Sequence, residues 1–214
     1  MLALLVGTAV AFAETERRKL EPAPVREAFV QPAFSPVCAC DKSGAAIRLR
    51  LGRPDTVTVR IRDASDHTVS VLIDRKRLPS GLTQIAWDGR DAVGARVPDG
   101  EYRVEVQLSR AARTLELPRH ITLDTVAPTV QLVSYVPSKP RPGQKLRISY
   151  RVSEPAHGVL FVNGKRRVVT YTTGRAVTLQ WRPTRRGCYR LQLAALDLAG
   201  NLGPRSPVFL VRVR

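Results

Sequence analysis

Reactive side chains are few in this chain, and they are widely spaced. Cys38 and Cys40 form a Cys-x-Cys pair, whereas Cys188 lies far along the chain. The pair forms a disulfide if the chain bends enough to bring its Cα atoms into range; free thiols and a metal site are the alternatives. A zinc site needs further ligands, and neither a Cys-x-x-Cys nor an adjacent histidine supplies them. Cys188 falls in a predicted strand, where we expect it to be a small core residue.

The three histidines do not form a recognisable catalytic pattern. His67 lies in a predicted turn, and His120 and His157 lie near predicted strand ends. The sequence contains no Gly-x-Ser-x-Gly elbow, no glycine-rich phosphate loop and no His-Glu-x-x-His motif. We therefore predict a protein that is not an enzyme and that has no cofactor and no metal site.

The most informative stretch is a glycine-rich loop between two predicted strands. The strand before it spans residues 81–87, with Leu82, Ile85 and Trp87 as its expected core anchors, and the strand after it spans residues 101–108. Asp-Gly pairs at 88–89 and 99–100 favour turns, because glycine tolerates positive φ and aspartate bonds nearby backbone. The aspartates lack the alternating spacing of an EF-hand calcium loop, so we interpret them as turn formers.

This loop also carries a family resemblance. It follows the pattern Trp-Asp/Asn-Gly-x-Asp-x-x-Gly-x-x-Val/Ala-Pro-x-Gly-x-Tyr, and the matching positions are Trp87, Asp88, Gly89, Asp91, Gly94, Val97, Pro98, Gly100 and Tyr102. The pattern resembles the immunoglobulin-like (Ig-like) module of flagellar hook-capping proteins and of many bacterial surface proteins, over roughly residues 34–123. The resemblance implies an Ig-like β-sandwich that serves as an appended spacer or interaction unit; it does not imply the hook-capping role itself. Where the family often has a loop rich in Asn, Asp and Gly, this chain has residues 37–41 with the two cysteines.

A second β-rich unit follows a joint near Ala127. Its Asn163-Gly164 pair predicts a two-residue hairpin turn, and residues 195–201 resemble the Asp-x-x-Gly-Asn close of bacterial Ig-like repeats. Its predicted strands are 130–136, 146–152, 158–162, 167–171, 176–181, 188–197 and 208–213. We predict an all-β protein with two tandem Ig-like sandwiches, at 37–126 and 127–214.

The N-terminal residues predict export. Residues 2–13 form an uncharged apolar run that ends in Ala-x-Ala before Glu14, as in a secretory signal. This run is shorter than the roughly 20 residues of a membrane-spanning helix, and no basic residue precedes it. We expect residues 1–13 to be a signal-like or anchor segment, with cleavage and anchoring both open, or else a first buried element. The proline-rich residues 14–36 are predicted to be a linker.

The formal net charge of +17 raises the question of an acidic partner. Basic residues are spread from Arg17 to Arg214, and no nucleic-acid-binding motif is present, which argues against nucleic acid. Attraction to an anionic surface, such as acidic cell-wall polymer or lipid headgroups, needs no specific site. Alternation over residues 47–51 and 57–62 predicts a hairpin or neighbouring strands. The predicted inward residues are Ile47, Leu49, Leu51, Val57, Val59 and Ile61, and one basic outer face would be formed by Arg48, Arg50, Arg60 and Arg62.

These observations predict a non-enzymatic protein that is exported or anchored to the cell envelope. It would act as a structural or interaction module, with a protein or cell-surface polymer as partner and possible membrane attachment through the N-terminus. The alternative function is binding of an acidic polymer, either cell-wall polysaccharide or nucleic acid, through the basic sheet face.

Overall fold

Fifteen β-strands and no helix make up residues 23–214, the part of the chain that this computed structural model describes. The strands are β1 (Val25–Val30), β2 (Ala33–Phe34), β3 (Ala45–Leu51), β4 (Asp55–Arg62), β5 (Thr68–Leu78), β6 (Gly81–Trp87), β7 (Gly100–Leu108), β8 (Arg113–Glu116), β9 (Ile121–Leu123), β10 (Val130–Val136), β11 (Leu146–Val162), β12 (Lys165–Val169), β13 (Gly174–Trp181), β14 (Gly187–Leu196) and β15 (Phe209–Val213). Across this range no helix has the length and apolar character needed to cross a membrane. The all-β prediction is confirmed.

Two sheets enclose the core of the first sandwich. The smaller sheet has the order β1-β3-β6, and the larger has the order β2-β9-β7-β4-β5, with β8 paired to β7. Alternating apolar residues of β3 and β4 turn inward from opposite sheets, and all six predicted positions are buried: Ile47, Leu49, Leu51, Val57, Val59 and Ile61. Burial of these side chains is the main force that holds the two layers together.

The second sandwich is organised around one long strand. The first part of β11 pairs with β10 and β13, whereas its last part pairs with β12 and β14, and β15 pairs with β14. Residues of both parts lie in one buried cluster, so β11 contributes to both layers. The sequence predicted two separate strands here. The Asn163-Gly164 turn between β11 and β12 is as predicted, with φ of 49° and 80°.

The described part of the predicted linker is not a tether. Within residues 23–36, β1 pairs antiparallel with β3, and β2 pairs parallel with β9. Both strands contribute buried side chains, Val30 and Phe34, to the first core. Short strands at sheet edges tolerate nearby prolines, which is why the proline-rich composition misled the prediction. The predicted signal-like segment, and the linker up to residue 22, lie outside the described residues.

Candidate functional site

The family motif forms a turn-stabilised loop around one buried indole. Trp87 packs against Phe34 and Tyr102, with ring centroids 5.4 and 4.9 Å away, and its indole N–H donates to the carbonyl of Arg90 at 2.9 Å. Asp88 and Asp91 accept backbone N–H groups of the loop through their Oδ1 atoms. These carboxylates therefore stabilise turns, as predicted. Leu82, in contrast, is 56% exposed, because it alternates with the inward positions of β6.

The four arginines predicted to form one basic face lie on two opposite sheets. Arg48 and Arg50 belong to β3, which pairs with β1 and β6, whereas Arg60 and Arg62 belong to β4 in the other sheet. Glu105 accepts hydrogen bonds from Arg60 at 3.2 Å and from Arg62 at 2.8 Å. The prediction of a shared face is wrong, because alternation identifies the inward side chains of a strand but not its pairing partner.

Arg48 and Arg50 also have partners within their own sheet. The guanidinium of Arg48 lies 4.3 Å from the centroid of the Phe29 ring, and Arg50 Nε donates to Glu27 at 2.9 Å. Both Phe29 and Glu27 come from β1, the strand that the sequence did not predict. Because they are divided between two sheets, the four arginines do not form the single basic face on which the alternative function was based.

The three cysteines fall into two environments. Cys38 and Cys40 are joined by a disulfide with a Cα–Cα distance of 5.2 Å. Cys188 is a free thiol and is exposed on β14, so its predicted place in the core is wrong. The reason is strand parity: Leu191, Leu193 and Ala195 point inward, which places residue 188 on the outer side.

The loop that carries the disulfide contacts the second sandwich directly. Gly200 adopts φ of 103°, and a Cβ added to it would lie 2.7 Å from Cys40 Sγ. Lys42 Nζ donates to the carbonyl of Leu198 at 2.7 Å, and Asn201 Nδ2 donates to the carbonyl of Asp124 at 2.9 Å. We call residues 37–42 and 197–201, together with Asp124, the junction. The sequence contained both segments but gave no signal that they meet.

A cleft of about 860 Å³ opens beside the junction. The residues that line it from the second sandwich include His157, Thr170, Tyr171 and Asn201. His157 Nδ1 lies 2.8 Å from the carbonyl oxygen of Thr170, which fixes the orientation of the imidazole ring. The cleft has mixed polar and apolar walls.

Three carboxylates converge at the junction. One carboxylate oxygen from each of Asp124, Glu154 and Asp197 lies within 4.8 Å of the other two. Burial raises the pKa of Asp124 and that of Glu154, and the charges of neighbouring carboxylates add to both increases. Asp197 uses Oδ1 to accept the N–H groups of Gly200 and Asn201, and Oδ2 accepts from Asn201 Nδ2. These bonds give Asp197 a structural role in closing the loop.

Residues 41–112 match the family model of the FlgD Ig-like domain. This confirms the resemblance predicted from the motif, since Trp87 to Tyr102 lie within the matched range. The Ig-like fold is typical of non-catalytic structural and binding modules. No curated protein matches the chain.

Several solved structures are similar to the chain at low sequence identity. The fibronectin(III)-like modules of Clostridium thermocellum CbhA are 16% identical, covering 88% of this chain and 94% of that one with a TM-score of 0.44. The human OSCAR ligand-binding domain is 15% identical, with coverages of 86% and 96% and a TM-score of 0.38. Bacteroides ovatus SGBP-B, solved with a mixed-linkage heptasaccharide, is 13% identical, with coverages of 91% and 46% and a TM-score of 0.32. At these sequence identities and TM-scores, the similarity says nothing about what this chain binds.

Proposed function

We propose that this protein is an exported, non-enzymatic module of the cell envelope that holds two Ig-like sandwiches in a fixed relative position for structural or interaction purposes. The domain boundary near Ala127 is part of this proposal. The observation that supports this proposal is the junction, where Cys40 packs against Gly200. In addition, Lys42 donates a hydrogen bond to the carbonyl of Leu198, and Asn201 donates one to the carbonyl of Asp124. Flexible linkers between modules lack such contacts, whereas a spacer needs them to keep its ends at a constant distance.

The cysteines support the proposed location. A disulfide between Cys38 and Cys40 persists in an oxidising compartment and is reduced by the thiol systems of the cytosol. Residues 2–13 supply the apolar segment that export or anchoring requires. The alternative function, polymer binding through Arg48, Arg50, Arg60 and Arg62, has less support, because these side chains lie on two sheets and contact their own neighbours.

Cell fractionation combined with mass spectrometry of the N-terminus tests the proposal. A mature end at Glu14 in the outer fraction, or an intact apolar N-terminus in the membrane fraction, is the expected result. Thiol labelling before and after reduction adds an internal control within the same molecule. Cys188 should label at once because it is exposed and free, whereas Cys38 and Cys40 should label only after reduction. A cytosolic protein that begins at Met1 and labels at all three cysteines would overturn the proposal.

A further inference from the structure

The positive charge of this protein is concentrated in the second sandwich. Residues 127–214 contain 16 Lys and Arg but only 2 Asp and Glu, a formal net charge of +14. Residues 23–126 contain 16 Lys and Arg and 13 Asp and Glu. The two acids of the second sandwich, Glu154 and Asp197, both lie at the carboxylate cluster of the junction. The rest of its surface is therefore cationic.

Ion pairing follows the same division. Among residues 23–214, every salt bridge lies within the first sandwich, where Arg60 and Arg62 share Glu105 and Arg103 meets Asp66 and Glu116. The arginines of the second sandwich have no carboxylate within ion-pair distance among these residues. Unpaired guanidinium groups with few internal acceptors favour an external anion.

Four of these arginines occupy one outer surface, which we call the basic face. It is the outer side of the sheet formed by β12, the last part of β11, β14 and β15, and it carries Arg166, Arg190, Arg205 and Arg212. Arg212 is paired with Cys188, and Leu210 with Arg190, so Arg190 and Arg212 are diagonal neighbours about 7–8 Å apart.

Arg205 and Arg166 extend the basic face around Phe161. The guanidinium of Arg205 lies 3.9 Å from the centroid of the Phe161 ring, and Arg166 is paired with Phe161 across the β11–β12 ladder. Phe161 is only 5% exposed, since it packs with Val159 and Ala194 on this outer side. All four arginines remain exposed to solvent.

Exposed aliphatic side chains lie in the same row as the arginines. Leu210 lies on β15 two residues before Arg212 and on the same side of the strand, and Val208 comes immediately before β15. Val208 is 41% exposed and Leu210 is 58% exposed. A surface that combines guanidinium groups with aliphatic side chains fits the boundary between lipid headgroups and acyl chains. Single-stranded nucleic acid is instead bound on exposed aromatic platforms, and the ring on this face is covered by Arg205.

We propose that the basic face docks the protein onto an anionic lipid surface, with the arginines binding headgroup phosphates and with Val208 and Leu210 entering the headgroup layer. Guanidinium groups suit this role, because they bind phosphate oxygens in bidentate fashion and keep their charge. The inference rests on the proposed function in one respect, namely that an envelope protein meets such a surface. It deepens that function by naming the partner.

Vesicle partitioning of the full chain tests the inference. One vesicle type contains phosphatidylcholine alone, and the other contains equal parts of phosphatidylcholine and phosphatidylglycerol. The variant Arg190→Gln/Arg212→Gln removes two charges from the basic face. A basic residue near an anionic membrane contributes roughly fivefold to partitioning, so we expect the double variant to lose about thirtyfold on anionic vesicles.

The matched control is Arg147→Gln/Arg151→Gln. These two exposed arginines lie on β11 in the same sandwich, where it pairs with β10 and β13, away from the basic face. The control removes the same charge at the far side of the sandwich, beyond the Debye length of about 8 Å, so we expect a loss below about twofold. Both variants keep the N-terminal segment, and unfolding curves confirm that both are folded.

Three outcomes would overturn the inference. The protein would partition equally onto neutral and anionic vesicles, or the control would lose as much as the face variant. In the third, Arg190→Gln/Arg212→Gln would weaken retention on dextran sulfate or DNA but leave vesicle partitioning unchanged, which would assign the basic face to a soluble polyanion. Because purified protein is used, these outcomes are independent of the fractionation result, and the two proposals can fail separately.

Discussion

Individual carboxyl groups at the junction are placed where ionisation opposes folding. Burial raises the pKa of Asp124, and the charges of Asp197 and Asp99 raise it further. The hydrogen bond that Asp124 accepts from the Val126 N–H lowers this pKa and offsets part of the increase. A raised folded-state pKa means that the folded protein binds the proton more tightly than the unfolded chain does. Ionisation of Asp124 therefore costs no folding free energy below the usual carboxyl pKa of about 4, where the group is neutral in both states. The cost develops as the pH rises through the raised pKa of the folded state.

Asp124→Asn should therefore stabilise the protein near neutral pH and not at about pH 3, where the carboxyl group is already neutral. Asparagine keeps the acceptor for Val126 N–H, and the gain should be less than about 1 kcal/mol because solvent reaches this half-buried site. Thermal unfolding of the variant and of the unsubstituted protein at both pH values measures this gain in stability. Asp88→Asn is the matched control, since Asp88 also accepts the N–H two residues on but lies outside the carboxylate cluster. A gain that is equal at both pH values would contradict this account.

At the scale of strands, periodicity predicted which side chains of a strand point inward. It failed where the outcome depends on which strands pair with one another. The inward residues of β3 and β4 were identified correctly from alternation, and the bounds of β6 and β10 agree with the structure. Alternation has no information about which strands are neighbours, so Arg48 and Arg60 were assigned to one face. The junction was missed for the same reason, since Cys40 and Gly200 are 160 residues apart and meet only through the fold.

The long strand β11 depends on a glycine at its second half. A Cβ at Gly158 would overlap the hydroxyl and ring of Tyr150, which is itself buried in the second core. Gly158→Ala should destabilise the second sandwich by about 1–3 kcal/mol through overpacking. Gly174→Ala is the control, because there an added Cβ comes no closer than 3.3 Å to another atom, a methyl carbon of Val177. Denaturant unfolding compares the two variants; equal midpoints would show that Tyr150 moves aside without cost.

For the whole molecule, the two halves differ in how their charge is used. The first sandwich pairs several of its arginines with its own carboxylates across strands, as Arg62 does with Glu105. The second sandwich holds nearly all of the net charge and has its two acids at the junction. The first half therefore carries the family motif, the second half carries most of the net positive charge, and both halves supply the contacts of the junction. A firm junction would give the basic face a defined orientation.

The disulfide at the junction gives a test of this coupling. It closes a loop of only three residues, so its direct effect on the first sandwich should lie below the usual 2–4 kcal/mol. Its larger effect should be on the coupling between the unfolding of the two sandwiches, because it holds the loop of residues 37–42 against Gly200 of the second sandwich. In a Trp181→Phe background, fluorescence of Trp87 follows the first sandwich and circular dichroism follows both. We expect coincident unfolding transitions for the intact junction.

Cys38→Ser/Cys40→Ser should separate those transitions. Without the disulfide, the loop no longer transmits the folded state of one sandwich to the other, so the second sandwich unfolds at its own midpoint. Cys188→Ser is the matched control: it removes an exposed thiol remote from the junction and should leave the transitions coincident. If the double variant also unfolds in one transition, contacts such as the Lys42–Leu198 bond suffice to couple the sandwiches, and the disulfide has only a local role.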